Sequence, residues 1–70
     1  MFMLEFTIQF SQLVCKYREE KNMSQKQLVL VCNMDRYYLG RIERGKVNPT
    51  LENVYDLAKN FKVLPVQLLS

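Results

Sequence analysis

Two helix starts lie close together in this chain, and the turn between the helices they open is so short that it dictates how those helices meet. Ser24 is a good N-cap, Gln27 stands three residues on to complete a capping box, and Met23 is placed to staple against Leu28. The same grammar returns at once, because Asp35 is a good N-cap and Met34 before it is placed to staple Leu39. Only Cys32, Asn33 and Met34 lie between the two helical signals. Asn33 is among the few non-glycine residues that tolerate the left-handed backbone such a turn needs. The expected unit is two short helices joined by a tight turn, over about residues 24–44.

The flanking sequence is helical as well. Phe6, Phe10, Leu13, Val14 and Tyr17 recur at helical spacing and predict a first helix from about Thr7 to Glu20, with an earlier start, or a short N-terminal strand, left open. Gly45 ends the third helix as a C-terminal glycine. A fourth helix is expected from near Thr50, with Pro49 before it, Glu52 in its first turn, and Leu51, Val54, Tyr55, Leu57, Ala58 and Phe61 on its buried side. A last short helix begins at Pro65, where the missing N–H costs nothing, and its Val66, Leu68 and Leu69 have little polar cover. There is no internal repeat, low-complexity stretch or linker. The reading is one all-α domain of five helices over residues 1–70.

Seventy residues, 49% of them apolar, make a marginal core, since a chain of this size buries only about 60% of its unfolded surface. Dimerisation would therefore help. Cys15 and Cys32 are too few for a disulfide scaffold, lack the paired spacing of a zinc site and have no histidine to join them, so both are expected as buried, reduced thiols in a cytoplasmic protein, with no metal and no cofactor. The N-terminal MFMLEFTIQF has no basic residue before Lys16, is interrupted by Glu5 and lacks a small-residue cleavage site, so it does not read as a secretory signal. No run approaches the roughly 18 apolar residues of a membrane span.

The net charge of +3 is modest, but its placement is not. Arg36, Arg41, Arg44 and Lys46 stand against the single acid Glu43, and the six other basic residues are matched by the six other acidic ones. The whole positive excess thus falls on the third helix and the loop after it. Such a window is either a solvated basic face or the place where a phosphate backbone is met.

The span NMSQKQLVLVCNMDRYYLGRIERGKVNPTLENVYDLAKNFKVLPVQLL resembles the lambda-repressor and Cro-like helix-turn-helix family, of the xenobiotic-response-element type, over about Leu13 to Leu69. The matching elements are the Ser24-Gln25 start, the apolar pattern Leu28, Cys32, Met34, Leu39 and Ile42, the IERG at Ile42 to Gly45, the Asn48-Pro49 pair and the DLA at Asp56 to Ala58. Within that family the length and the MDRYYLGRIERG segment look most like the small controller proteins of restriction-modification systems.

The resemblance implies a sequence-specific, DNA-binding transcriptional regulator that acts as a homodimer on a two-fold symmetric site. The helix from Gln25 to Val31 would lie across the groove, and that from Arg36 to about Glu43 would enter it as the recognition helix. Arg36, Tyr37 and Arg41, the last on a neighbouring face, would read bases, with at least one arginine on guanine O6 and N7. Gln25, Tyr38, Arg44, Lys46 and Asn48 would hold phosphates. Leu64, Val66, Gln67 and Leu69 would supply the dimer contact, and Arg18 and Glu43 match the family's structural ion pair. Five helices leave nothing to bind an inducer, so activity is expected to follow protein concentration, with double-stranded DNA and a second copy as partners and no small-molecule effector or membrane.

Other residues read as scaffold. Asp35 is acidic beside DNA and serves as an N-cap, and Phe10, Tyr55, Leu57 and Phe61 fall on helical core faces. Three departures from the family pattern stand out. Val29 replaces a small residue, so the helix pair must splay or repack; Asn33 replaces the turn glycine; and Leu30 and Val31 are apolar at positions usually polar. The last two, together with Phe2, Met3 and Leu4, raise a rival reading: a protein-interaction module of the antitoxin or coactivator-bridge type on the same fold. An enzyme is excluded by expectation, for there is no histidine, no Gly-rich phosphate loop and no carboxylate pair in an apolar setting.

Overall fold

The computed structural model describes residues 2–32 and 34–69, with side chains from residue 6 onward. It contains five helices: α1 (Phe2–Glu20), α2 (Gln25–Val31), α3 (Arg36–Glu43), α4 (Leu51–Phe61) and α5 (Pro65–Leu69). No strand occurs among the described residues. The open question at the N-terminus is thereby resolved as helix: α1 starts five residues before Thr7, because Phe2 to Phe6 contains good helix formers and no Gly or Pro. Asn33, and the side chains of Phe2, Met3 and Leu4, lie outside the described residues.

Each helix start uses the device its sequence announces. Ser24 Oγ accepts from the Gln27 N–H at 3.0 Å while Gln27 Oε1 accepts from the Ser24 N–H at 2.8 Å, a full capping box. Asp35 accepts from the Tyr38 N–H at 2.7 Å, and Thr50 from the Asn53 N–H at 3.1 Å. Three helix ends share one form. The N–H groups of Met23, Lys46 and Val63 reach back to the carbonyls of Arg18, Arg41 and Ala58, and the residue before each, Asn22, Gly45 or Lys62, sits at positive φ. These are Schellman turns, which satisfy carbonyls the helix cannot.

The core is built from Phe10 and Val14 of α1, Leu28 and Cys32 at α2, Leu39 and Ile42 of α3, Val54, Leu57, Ala58 and Phe61 of α4, and Leu68 of α5. Burying each large aliphatic or aromatic side chain contributes about 1.5–3 kcal/mol. Val29, larger than the family pattern wants, packs partly buried against this cluster, so its methyls have found room. Two expected core residues have not: Leu51 and Tyr55 are 67% and 58% exposed. The buried stripe of α4 is Val54, Leu57, Ala58 and Phe61, and at 3.6 residues per turn Tyr55 lies about 110° round the helix from its centre. The apolar arc of α4 is wider than the core can cover. Cys15 is likewise only half-buried, whereas Cys32 is buried; both are free thiols.

A water-poor polar cluster joins α1, α2 and α3. Arg18 donates through Nε and Nη2 to the two oxygens of Glu43, at 2.7 and 3.1 Å, and through Nη1 to the Met23 carbonyl at 2.8 Å. Gln25 Nε2 donates to the same carboxylate at 2.8 Å. Cys15 also faces Glu43, and burial together with that carboxylate pushes its thiol up to about 11, so it stays protonated at neutral pH. On the other side, Asn60 Nδ2 donates to the Asp56 carbonyl at 2.9 Å and reaches the Val31 carbonyl at 3.4 Å, tying the end of α2 to α4.

Two expectations follow for stability. Glu43→Ala should lower the unfolding free energy by about 3 kcal/mol, because it strands the Arg18 charge, while replacing the pair together as Arg18→Met with Glu43→Leu should change it by about 1 kcal/mol or less; urea denaturation measures both. Lys62→Gly should stabilise by about 0.5–1 kcal/mol, since it removes a side chain from left-handed backbone, and raise the thermal midpoint by a few degrees.

Candidate nucleic-acid interface

Helix α3 turns Leu39, Gly40 and Ile42 inward, which leaves its remaining residues to solvent or to the neighbouring helices. Arg36 is exposed at its first position, and Tyr37 is 71% exposed beside it. Arg41, one turn on, lays its guanidinium over the Tyr37 ring, 5.8 Å from the centroid. Arg41 therefore shares the Tyr37 face and does not project from a separate one. The pair is worth about 0.5–1 kcal/mol at an exposed site, enough to bias the Arg41 rotamer without locking it.

Gly40 has a spatial role. A Cβ placed there would lie 3.1 Å from Nη1 of Arg44, whose guanidinium folds back over α3 and would have to shift by a few tenths of an ångström to admit it. Gly45, at φ +70°, then turns the chain sharply and brings Lys46, which is exposed, round the end of the helix. The loop after it is fastened to α1, where the buried Thr7 hydroxyl donates to Asn48 Oδ1 at 2.6 Å. That bond turns the Asn48 amide nitrogen away from α1.

The other expected contact residues are more constrained. Tyr38 is half-buried, packs on the core, and accepts from Asn53 Nδ2 at 3.1 Å, so its hydroxyl is placed by α4. Gln25 is half-buried and its amide nitrogen is held by Glu43. Arg18, which carries that carboxylate's counter-charge, is bound more tightly to its proton by the Glu43 hydrogen bonds and is directed inward. Sequence reasoning placed Gln25, Thr7 and Cys15 no nearer to Glu43 or Asn48 than any other residues. No local pattern reports contacts between positions 18 or 41 residues apart.

Leu64, Val66 and Leu69 around α5 are 66%, 58% and 42% exposed, and Leu51 and Tyr55 of α4 are exposed as well. Gln67 is different in character: its Oε1 accepts from the Leu64 N–H at 2.7 Å and caps α5. Leu30 and Val31 are 76% and 55% exposed at the end of α2. Among the described residues no group of three His, Cys, Asp or Glu side chains is arranged to hold a metal, and no helix is long and apolar enough to cross a membrane.

Comparison with known proteins converges on one family. The HTH_3 helix-turn-helix family model matches residues 16–68. Control protein C.BamHI of Bacillus amyloliquefaciens is 41% identical over 61 residues, covering 86% of this chain and 75% of that protein. Control protein C.SmaI of Serratia marcescens is 37% identical over 57 residues, 81% of this chain and 68% of that one. Among solved structures, the restriction-modification controller protein C.AhdI from Aeromonas hydrophila superposes with a TM-score of 0.84 at 34% identity, covering 89% of this chain and 94% of that one. The chain belongs to the HTH_3 helix-turn-helix family, the lambda-repressor and Cro-like regulators, and restriction-modification control proteins are among its relatives.

Proposed function

We propose that this protein is a sequence-specific DNA-binding regulator that acts as a homodimer on a two-fold symmetric operator, with α3 in the major groove. The observation that carries the reading is the outward face of α3, where Arg36, Tyr37 and Arg41 stand exposed or half-exposed in a helix whose opposite side is fixed by fully buried Leu39 and Ile42. Arg36 and Arg41 are the guanine readers, and the Tyr37 ring, stacked on Arg41, meets a thymine methyl or a phosphate. Arg44 and Lys46 hold phosphates by charge. Gln25, Tyr38 and Asn48 hold them by hydrogen bonds from groups that the fold has already oriented.

The dimer face is formed by Leu64, Val66 and Leu69, with Leu51 and Tyr55 added and Gln67 serving chiefly as the cap of α5. Exposed leucine, valine and tyrosine side chains on two packed helices are costly to leave in water, and a second copy related by two-fold symmetry covers them on both partners. Such a dimer sets the recognition helices about 34 Å apart, one turn of DNA. Occupancy of the operator follows protein concentration through dimerisation. Unpaired Cys15 and Cys32 suit a reducing, cytoplasmic setting. The control-protein relatives support a role in controlling a restriction-modification system.

A second reading rests on Leu30 and Val31, which the fold leaves uncovered: a protein-interaction module whose contact surface is the end of α2. The two readings part on one experiment. Arg36→Ala combined with Arg41→Ala should abolish binding to duplexes selected by the wild-type protein from a random pool, at about 1–3 kcal/mol per lost guanine contact, while circular dichroism shows an unchanged fold. Unchanged binding would favour the interaction module. For the wild-type dimer, four phosphates neutralised by Arg44 and Lys46 predict a log Kd against log salt slope of about 3.6 in magnitude; salt-independent binding contradicts the electrostatic account.

A further inference from the structure

Glu43 is an acid within the basic segment of the chain, and simple electrostatics makes it a liability beside phosphate. Its side chain is 5% exposed and its ion-pair partner Arg18 is 15% exposed, so both charges are held largely away from water. Gln25 completes the cluster, with its Nε2 2.8 Å from Glu43 Oε1. A carboxylate only accepts hydrogen bonds, so the amide nitrogen of Gln25, and not its oxygen, must face Glu43. One of the two N–H groups on that nitrogen is thereby used, and the other is aimed elsewhere in the amide plane. We infer that Glu43 is a positioning residue for DNA binding: it fixes the Gln25 amide so that the second N–H meets a backbone phosphate. This rests on the DNA-binding reading above.

The arrangement divides the work between a cation, a carboxylate and an amide. Arg18 neutralises Glu43 from the α1 side through two hydrogen bonds, so the carboxylate presents little net field to a phosphate. Glu43 in turn holds an otherwise free-turning glutamine side chain in one rotamer, which removes ordering entropy that binding would otherwise have to supply. Replacing Glu43 by glutamine shows why the carboxylate is needed. The single remaining oxygen faces the charged Arg18 Nε, and the new amide nitrogen then confronts Gln25 Nε2, donor against donor. Gln25 must turn its oxygen inward or swing away, and the phosphate loses its N–H.

Two accounts of Glu43 therefore predict opposite signs. If it acts only as a charge, Glu43→Gln removes a repulsion and tightens DNA binding. If it positions Gln25, the same change weakens binding by about tenfold, the size of one hydrogen bond to a charged acceptor. The test is a double-mutant cycle read by fluorescence anisotropy on a duplex selected from the random pool by the wild-type chain, with Glu43→Gln made alone and in a Gln25→Ala background. The expected result is a loss of about tenfold in the first and little change in the second. Equal losses in both backgrounds, or tighter binding by Glu43→Gln, would overturn the inference. If Glu43→Gln fails to fold, Arg18→Met with Glu43→Leu, which removes the carboxylate at constant net charge, enters the same cycle: a tenfold loss that vanishes in the Gln25→Ala background is expected, and unchanged affinity or equal losses in both backgrounds would overturn the inference. A wild-type chain that selects no duplex overturns the DNA-binding reading itself, and the role of Glu43 with it.

Discussion

One carboxylate sets the relative placement of three helices. Glu43, at the last position of α3, receives Arg18 from α1 and Gln25 from α2, and Arg18 also closes the α1–α2 turn through the Met23 carbonyl. A buried pair of this kind adds little net stability, because removing two charges from water offsets most of their attraction. Its effect is on geometry. Any packing that displaced α3 would leave a charge without a partner in a place largely shielded from water. The hydrophobic contacts of Leu28, Leu39 and Ile42 favour compactness in general, whereas the Glu43 cluster favours this one arrangement of α1, α2 and α3.

The face that α3 presents follows from that anchoring. With Leu39, Gly40 and Ile42 buried, Arg36, Tyr37 and Arg41 have no inward direction left. The same helix then ends on Gly45, whose left-handed backbone carries Lys46 to the surface, and Thr7 fastens the loop at Asn48. Gln25 donates to Glu43, Tyr38 accepts from Asn53 and Asn48 accepts from Thr7, so each side chain is restricted before any ligand arrives. A contact surface whose polar groups are already ordered loses less entropy on binding than one made of free side chains.

Much of this was legible in the residues. Ser24 with Gln27, Asp35, Thr50 and Gly45 mark helix boundaries by local chemistry, because capping involves atoms within five residues of each other, and the structure uses each of them. Leu51 and Tyr55 show where such reading ends. Both fit an apolar helical face, yet which part of that face is covered depends on the position of α1 and α5, which no pattern within α4 encodes. The start of α1 stayed open for a related reason, since apolar periodicity marks the packed face of a helix and not its first turns.

The sequence by itself determined the five helices, the tight turn after α2, the concentration of positive charge on α3 and the family to which the chain belongs, since each depends on residue identity and short spacing. Tertiary structure alone decided that Gln25 is held by Glu43, that Asn48 is held by Thr7, that Arg41 stacks with Tyr37 on the solvent side, and that Leu51, Tyr55, Leu64 and Val66 remain uncovered. The physical reason is range. Helix propensity and capping are fixed within one or two turns of chain, whereas hydrogen-bond partners and burial are fixed by which surfaces the packed core brings together.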